Sequence, residues 1–294
     1  MIKVYLVQID SAKGNKSENI ARAKKLILDA SPAEGSLVIL PEMFATGYLP
    51  ENLETSAEDF SSSSAGETAR MLSEVSSATG CTVMGAGITS INGFFYNHAS
   101  IYEPQKSKES CGYNKINLFF PEKENFKAGE KINLFNKKET LAGTATEQGA
   151  KTCMTGPTDS ENSRENSSWK IASFICYDLR FPEIFREATK QGANLITIQA
   201  AWPAMRLSHW ETLLKARAIE NQVYIAAVNA VSTRPDQKAP LAGSSLILSP
   251  TGDILAQGPT HSETVISAEL DLQAEKDYRK IFPVLDGIVP RELI

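Results

Sequence analysis

The chain has 294 residues, 42% of them hydrophobic and 22% charged, which is enough apolar material for a substantial core. The formal charge of −5 and the lack of a basic run interleaved with aromatic residues argue against a nucleic-acid partner. No apolar stretch approaches the roughly 18 to 20 residues of a membrane span, and the N-terminus lacks the charged start and long apolar region of a secretory signal.

The cysteines are scattered along the chain and form no Cys-x-x-Cys pair. A chain of this size does not need disulfide bonds to be stable. The pattern therefore predicts reduced thiols, a cytoplasmic setting and no zinc site. We expect neither a bound metal nor a cofactor. The cysteines are Cys81, Cys111, Cys153 and Cys176.

The first part of the chain predicts a strand, a helix and a second strand in alternation. Residues 2–9 alternate in polarity, residues 17–30 have a partly apolar helical face, and residues 37–40 form a short apolar run. Glu42 follows that run. A carboxylate there is costly unless it is hydrogen-bonded, and catalytic groups gather at strand ends in layered α/β proteins. Glu42 is therefore a candidate catalytic residue, with a structural carboxylate that caps loop amides as the alternative.

A hairpin, a short strand and then a lysine follow the helix predicted at about 66–79. Residues 82–89 and 94–102 favour strands, and the dipeptide Asn92-Gly93 suits the turn between them. Lys115 then lies between a short strand and an aromatic loop, in Tyr-Asn-Lys-Ile-Asn-Leu-Phe. Considered alone, such a lysine is most often a solvated residue whose stem lies on apolar groups.

Residues 136–168 interrupt the alternation, because Lys, Thr, Ser, Glu, Asn and Gly dominate and no period is visible. We interpret this segment as a flexible polar insertion, since it has too few apolar residues to form a core of its own. Its neighbours at 131–135 and 169–175 favour strands that it joins. The prediction is one domain over residues 1–294.

Cys176 closes the strand predicted at 169–175, and Pro182 and Glu183 mark the first turn of a helix with Gly192 just past its end. A cysteine between a strand end and a helix start lies near backbone N–H groups, which favour a thiolate and can hold an oxyanion. Cys176 is therefore a candidate nucleophile. A small buried hydrophobic residue is the structural alternative.

The rest of the chain continues the alternation of strands and helices. Residues 206–221 predict an amphipathic helix, residues 250–253 a hairpin turn and residues 264–270 its returning strand. Further strands are predicted at 194–199, 223–228 and 245–248, with a last helix near 273–281.

Glu42, Lys115 and Cys176 lie in Leu-Pro-Glu-Met-Phe, Tyr-Asn-Lys-Ile-Asn-Leu-Phe and Ile-Cys-Tyr-Asp-Leu-Arg-Phe-Pro-Glu. These motifs, in this order, resemble the nitrilase (carbon–nitrogen hydrolase) superfamily, and the resemblance covers roughly residues 2–135 and 169–286. Cys-Tyr-Asp-Leu-Arg-Phe-Pro, Ala-Ala-Trp-Pro-Ala-Met-Arg and His-Trp-Glu-Thr-Leu-Leu-Lys-Ala-Arg-Ala-Ile-Glu-Asn-Gln resemble its omega-amidase branch. The resemblance implies an α/β fold of the four-layer αββα sandwich type and a homodimer or higher homo-oligomer.

The resemblance also implies an amidase that hydrolyses the terminal amide of small dicarboxylic acid monoamides such as 2-oxoglutaramate. Cys176 would attack the amide carbon and form a thioester, while Glu42 would take the thiol proton, pass it to the departing ammonia and then activate water. Lys115 would stabilise the oxyanion together with a backbone N–H near Cys176 or Tyr177.

Other side chains are candidates for supporting roles. Some family members use a second glutamate in the loop after the lysine, and Glu124 fits that position best, with Glu122 as the competitor. Arg180 or Arg206 would anchor the distal carboxylate of the substrate, although for Arg180 we prefer a structural role that braces Glu42 or a helix end. Aromatic residues that would line the pocket are Tyr48, Phe119, Tyr177 and Trp202.

The sequence is also compatible with other functions. The same Glu, Lys and Cys would serve another amidase of the superfamily, a carbamoyl hydrolase or a nitrilase, because a nitrilase makes an acid through the same thioester. Cys–His catalysis would require His98, His209 or His261 near Cys176. A binding scaffold without turnover is the non-enzyme alternative, and the intact Glu, Lys and Cys argue against it.

Overall fold

Two β-sheets lie face to face in the computed structural model, which describes residues 1–61, 66–138, 153–155, 168–234 and 239–289. The helices are α1 Lys16–Asp29, α2 Leu53–Ser56, α3 Glu67–Thr79, α4 Pro182–Lys190, α5 Leu207–Asn221 and α6 Leu272–Ile281. The strands are β1 Ile2–Gln8, β2 Leu37–Ile39, β3 Thr82–Ile91, β4 Phe94–Tyr102, β5 Cys111–Asn114, β6 Asn133–Lys138, β7 Cys153–Thr155, β8 Ser168–Ile175, β9 Leu195–Ala200, β10 Tyr224–Asn229, β11 Leu246–Leu248, β12 Ile254–Gln257 and β13 Thr264–Leu270.

Each sheet has a parallel centre with antiparallel strands toward its edges. The first has the order β13-β1-β2-β3-β4-β5 and the second has the order β12-β11-β10-β9-β8-β6-β7. Strands β1, β2 and β3 run parallel in the first sheet, and β8, β9 and β10 run parallel in the second. The ends of β2, β5 and β8, where the candidate catalytic residues follow, therefore belong to different sheets that the fold must bring together.

Three apolar layers hold the sheets and helices together, because alternate residues of each strand face opposite sides. One layer lies between α1, α3 and the first sheet, one between the two sheets, and one between the second sheet and α4 and α5. These layers include, in turn, Ala23, Ile27, Leu72 and Val83; Leu6, Ile39, Ile171 and Val228; and Phe174, Phe185, Ile198 and Leu214. This arrangement confirms the predicted αββα sandwich.

The predicted turn between β3 and β4 is present. Ile91 pairs with Phe94 across two residues, and both of these have positive φ, 51° at Asn92 and 79° at Gly93. Such a two-residue turn matches the right-handed twist of the strands that it joins. The hairpin therefore has the register that the Asn-Gly dipeptide predicts.

The pairing predicted for residues 264–270 is wrong. The turn at 250–253 returns the chain through the short strand β12, which pairs with β11. Strand β13 instead crosses to the other sheet and pairs antiparallel with β1, from Ile2 opposite Leu270 to Gln8 opposite Thr264. The alternation in polarity identified the strand but carries no information on its partner.

The predicted insertion at 136–168 falls mostly on residues outside the described part of the chain. Strand β6 extends to Lys138, and β7, which was not predicted, pairs antiparallel with β6. The prediction for the cysteines is wrong in one respect, because Cys81 and Cys176 are free whereas Cys111 is disulfide-bonded.

None of the helices in the described ranges has the length and apolar character needed to span a bilayer. Within the same ranges, no group of three or more His, Cys, Asp or Glu side chains is arranged to hold a metal ion.

The buried Glu275 provides a test of how helix α6 packs against the rest of the fold. The side chain is buried beside Arg279, and burial raises the pKa of Glu275 to about 7 although Arg279 lowers it. The unfolded chain ionises this carboxyl near 4.5, so its contribution to stability falls as the pH rises from there through about 7. We expect the Tm of Glu275→Gln relative to wild type to be several degrees higher at about pH 8.5 than at about pH 4.5.

Thermal unfolding followed by circular dichroism at both pH values measures this difference. The matched control is Glu269→Gln on β13, whose side chain is exposed, and its Tm difference from wild type should be the same at both pH values. A Tm difference for Glu275→Gln that does not change with pH would contradict the argument.

Candidate active site

Glu42 lies just beyond β2 and is almost completely buried, with 1% of its surface exposed. Its Oε1 accepts hydrogen bonds from Lys115 Nζ at 2.9 Å and from Asn97 Nδ2 at 2.7 Å. Its Oε2 accepts from the backbone N–H of Ala201, which follows β9 of the second sheet, at 3.0 Å. A carboxylate can stay buried only when such partners replace its hydration. Glu42 is therefore held between the two sheets.

Lys115 follows β5 and has a side chain with no exposed surface. Its ammonium lies between two carboxylates, 2.9 Å from Glu42 Oε1 and 2.8 Å from Glu122 Oε2. Burial lowers the pKa of Lys115, but the charges of Glu42 and Glu122 outweigh it and raise that pKa above its ordinary value. Lys115 is therefore a fixed cation, and the solvated surface position is wrong for this lysine.

Glu122, and not Glu124, is the second carboxylate of this cluster. A 3-10 helix over Phe120–Glu124 turns Glu122 inward and leaves Glu124 exposed. Glu122 Oε2 also accepts from the backbone N–H of Phe119 at 2.7 Å. Burial, and after it the charge of Glu42, raises the pKa of Glu122, although Lys115 lowers it. The preference for Glu124 over Glu122 is thus corrected.

Asn97, on β4, joins the two carboxylates and was missed in the sequence. Its Nδ2 donates to Glu42 Oε1 and to Glu122 Oε1, both at 2.7 Å. The side chain faces the space between the sheets, where its neighbours on β4 are apolar. An asparagine at an inward position of a buried strand is the signal that would have identified it, because buried polar groups are hydrogen-bonded.

Cys176 begins the 3-10 turn that follows β8 and has a φ of 46°. A left-handed conformation is strained for a residue with a Cβ, and such strain clusters at functional sites. The backbone N–H of Ala201, which donates to Glu42, also interacts with the thiol of Cys176. This shared amide brings the candidate nucleophile and the candidate base to the same point.

The thiol of Cys176 is neutral at rest. Burial raises its pKa well above the ordinary value, the charge of Glu42 raises it further, and Lys115 and the Ala201 amide oppose that shift. A neutral thiol is a weak nucleophile, so it requires a base when it attacks. Glu42 is the carboxylate with the largest effect on the thiol.

Asp178 fixes Cys176 relative to Lys115 and was also missed. The carboxylate is fully buried and accepts from Ile175 N at 3.0 Å on the strand that delivers the cysteine. It accepts as well from Tyr113 Oη and from Asn117 N, both at 2.8 Å, on either side of Lys115. The nucleophile and the lysine thus share one anchor.

Arg217 of α5 supports the same turn from the other side. Its Nε and Nη2 donate to the carbonyl oxygen of Leu179 at 3.2 and 2.9 Å, and its guanidinium lies over the ring of Phe185. The last carbonyl groups of a helical turn have no partner within it. Arg217 supplies a donor for the Leu179 carbonyl and thereby ties the Cys176 turn to the outer helix layer.

The predicted pocket residues fall into two groups. The hydroxyl of Tyr48 is buried, and Glu42, Glu122 and Cys176 all act on it electrostatically. The rings of Phe119 and Tyr177 lie 5.2 Å apart beside the turn that starts at Cys176. The structure therefore brings all three aromatic side chains to the buried cluster or to the cysteine turn.

Trp202 and the two arginines form the second group. The guanidinium of Arg180 lies 4.7 Å above the ring centre of Trp202, and Arg206 O accepts from Trp202 Nε1 at 2.8 Å. Partial burial lowers the pKa of Arg180, as does the charge of Arg206, whereas Cys176 raises it. In the described part of the chain, neither guanidinium forms an ion pair with a carboxylate, and the partners of Glu42 do not include Arg180. The predicted bracing of Glu42 by Arg180 is therefore wrong.

The positions of the three histidines do not support a catalytic pair with Cys176. His98 lies on the outer face of β4, where Nδ1 is 2.7 Å from Asn114 Oδ1 and Nε2 is 2.9 Å from Glu109 Oε2. His209 is exposed and lies 3.4 Å from Arg180 Nη2, and His261 is exposed in the loop before β13. The Cys–His alternative therefore has no support in the geometry.

A surface cavity of about 440 Å³ opens on the outer face of β4 and β5, beside His98, Glu109 and Lys127. A second, of about 510 Å³, lies along α4. Neither is lined by Cys176. The buried cluster is therefore the better candidate for chemistry, since it combines a nucleophile, a base and a fixed cation.

The comparisons with known proteins agree with this arrangement. A family model described as Carbon-nitrogen hydrolase matches residues 3–280. A 2-oxoglutaramate amidase of Bacillus subtilis (strain 168) is 32% identical over 288 residues, which cover 97% of this chain and 96% of that protein. Omega-amidase NIT2 of Xenopus tropicalis is 33% identical over 277 residues, which cover 92% of this chain and 88% of that protein. A CN-hydrolase superfamily protein of Xanthomonas campestris has a structure with a TM-score of 0.78 at 26% identity, over 98% of both chains.

Replacement of the two competing glutamates tests the placement of the second carboxylate. Glu122→Gln removes one of the two charges that hold the Lys115 ammonium, so we expect kcat for amide hydrolysis to fall by about 100-fold. The matched control Glu124→Gln changes only an exposed side chain and should keep kcat within about twofold of wild type. Ammonia release measures both, with circular dichroism to establish that each variant is folded. Loss of activity in Glu124→Gln with full activity in Glu122→Gln would reverse the assignment.

Proposed function

The chain belongs to the carbon–nitrogen hydrolase family, and from this we propose that it hydrolyses the terminal amide of small dicarboxylic acid monoamides such as 2-oxoglutaramate. It is a hydrolase that acts on amides. The observation that carries the proposal is the buried cluster of Glu42, Lys115 and Glu122 beside the free thiol of Cys176. The curated relatives described above support the substrate class by their names.

In the first half of the reaction, Sγ of Cys176 attacks the amide carbon while Glu42 takes the thiol proton. The carbonyl oxygen becomes an oxyanion, which the Lys115 ammonium and a backbone N–H near Tyr177 stabilise. Glu42 then gives its proton to the nitrogen as the carbon–nitrogen bond breaks and ammonia leaves. The acyl group remains on Cys176 as a thioester.

In the second half, Glu42 takes a proton from water, whose oxygen attacks the thioester carbon. Collapse of the second tetrahedral intermediate breaks the carbon–sulfur bond, and the proton on Glu42 returns to the thiolate. Glu122 keeps Lys115 charged and in place throughout. The buried position of the cluster strengthens each of these interactions, because water does not screen them.

Arg180 and Arg206 are the proposed anchor for the distal carboxylate of the substrate. The two guanidinium groups repel each other and lie next to the cysteine turn. A carboxylate bound between them would relieve this repulsion and could accept bidentate hydrogen bonds. Phe119 and Tyr177 would form the apolar wall along the short carbon chain between the two ends of the substrate.

We also propose that residues 1–294 act as a single carbon–nitrogen hydrolase domain in a homodimer or higher homo-oligomer. We propose that the protein acts in the cytoplasm, where the disulfide of Cys111 would be an exception to the usual reduced state of thiols. Large apolar side chains near the end of α6 are exposed in the single chain, which favours association with a second copy. They are Ile281, Phe282 and Val284. Sedimentation equilibrium measures the mass of the assembly.

A panel of substrates tests the proposed reaction. We expect the wild-type protein to release ammonia from 2-oxoglutaramate and succinamate, and much less from glutamine, an N-carbamoyl compound or a simple nitrile. Cys176→Ala should keep the fold and lose all turnover, because the thioester cannot form. Activity on the other compounds, with none on the two monoamides, would assign the chain to another amidase, carbamoyl hydrolase or nitrilase class. Retained turnover in Cys176→Ala would reject the mechanism.

The carboxylate anchor has a separate test. Arg180→Gln and Arg206→Gln should each raise KM for succinamate by about 10-fold or more, because a charge-assisted hydrogen bond is worth about 1.5 to 3 kcal/mol. KM for butyramide, which has the same chain length and no carboxylate, should not change. Arg70→Gln, at an exposed position of α3, is the matched control. An unchanged preference for succinamate over butyramide in both variants would reject the anchor.

A further inference from the structure

The hydroxyl of Tyr48 is a buried polar group that the mechanism above does not use. Its oxygen is shielded from solvent and has no hydrogen-bond partner among the described residues. Most buried hydroxyl groups in native structures are hydrogen-bonded, since an unsatisfied one costs about 1 to 3 kcal/mol. The position of Tyr48 therefore has a cost in the free enzyme that a partner present only during the reaction would remove.

The loop after Glu42 turns the chain sharply before Tyr48, whose ring packs with the cluster of Met43, Ile88 and Phe126. Thr46 N and Gly47 N both donate to Met43 O, at 3.2 and 2.9 Å. Met43 and Gly47 have φ values of 48° and 71°. A non-glycine residue with positive φ is strained. The loop that carries Tyr48 therefore includes a strained residue, Met43.

The reacting groups act on the hydroxyl of Tyr48 through their charges. Burial raises the pKa of Tyr48 above its ordinary value, and the charges of Glu42, Glu122 and Cys176 raise it further. Tyr48 therefore keeps its proton throughout the reaction. The carboxylates of Glu42 and Glu122 attract the hydroxyl proton, which leaves a lone pair of the phenol oxygen available to a donor on a bound substrate.

We propose that the Tyr48 hydroxyl binds the nitrogen of the scissile amide as a hydrogen-bond acceptor. This inference rests on the proposed hydrolysis at Cys176. An N–H of the tetrahedral intermediate donates to the phenol oxygen, which turns the nitrogen lone pair toward the protonated Glu42. Glu42 then protonates that nitrogen and ammonia leaves. Tyr48 transfers no proton, and it selects substrates whose leaving group is a nitrogen that carries hydrogen.

Orienting the leaving nitrogen is needed for an amide but not for an ester. An ester of the same acid gives the same thioester on Cys176, and its leaving oxygen has no hydrogen to donate. A residue that only supports the fold would affect the two substrates alike. The ratio of kcat/KM for amide to kcat/KM for ester therefore reports on the proposed contact, because kcat/KM covers the steps up to release of the leaving group.

The experiment compares Tyr48→Phe with Tyr102→Phe on succinamate and monomethyl succinate. Tyr102 is buried on β4, and its hydroxyl donates to Phe60 O at 2.6 Å, away from the cluster. In Tyr48→Phe we expect the amide-to-ester ratio to fall by about 10-fold or more, with a Tm equal to or above that of wild type. In Tyr102→Phe the ratio should not change, whereas the Tm should fall, because the Phe60 carbonyl loses its partner.

Parallel losses on amide and ester in Tyr48→Phe, or no loss on either, would overturn the inference while leaving the proposed function intact. A lowered Tm in Tyr48→Phe would show that the hydroxyl has a structural partner and would also overturn it. If the wild-type protein hydrolyses no amide of the panel, the proposed function fails, and this inference fails with it.

Discussion

The ion cluster of Glu42, Lys115 and Glu122 is the interaction on which the rest of the site depends. Its members are buried and come from segments after β2 and β5. Buried charges are stable only when nearly every polar atom has a partner, and removal of one partner leaves an uncompensated charge. Asn97 and the backbone amides of Phe119 and Ala201 supply those partners. Because Ala201 directly follows β9 of the second sheet, the cluster requires the two sheets to face each other in one register.

The nucleophile is held by a different set of contacts that converge on the same place. Asp178 ties the start of the Cys176 turn to the residues around Lys115, and Arg217 ties its end to α5. Neither residue is proposed to touch the substrate. They remove the freedom of the turn, so that the neutral thiol, the base and the cation meet without rearrangement at the moment of reaction. This explains how a short strained turn at a φ of 46° can carry a reactive side chain.

Residues that follow a strand within one motif were predictable, whereas contacts across the sandwich were not. Glu42 and Cys176 follow short apolar runs, Lys115 follows a short strand, and the structure brings all three together. The choice between Glu122 and Glu124 depended on the direction of one 3-10 turn. A local signal did exist, because Glu122 lies three positions after Phe119, the residue that precedes the turn. An acidic residue at that spacing can reach back to the backbone amide of the preceding residue. Asn97, Asp178 and the pairing of β13 with β1 depend on distant segments, and no local pattern specifies a distant partner.

Several features that disfavour the folded state locally meet around Cys176. A buried lysine, two close carboxylates, a non-glycine φ of 46° and a phenol hydroxyl without a partner each disfavour the folded state locally. The surrounding layers offset them, since each fully buried Leu, Ile or Phe stabilises the fold by about 1.5 to 3 kcal/mol. A sequence selected for stability alone would remove these features. Left-handed non-glycine residues and buried polar atoms without a partner also occur elsewhere among the described residues, but around Cys176 they accompany a nucleophile, a base and a fixed cation. It is this combination that argues that the cluster is the active site.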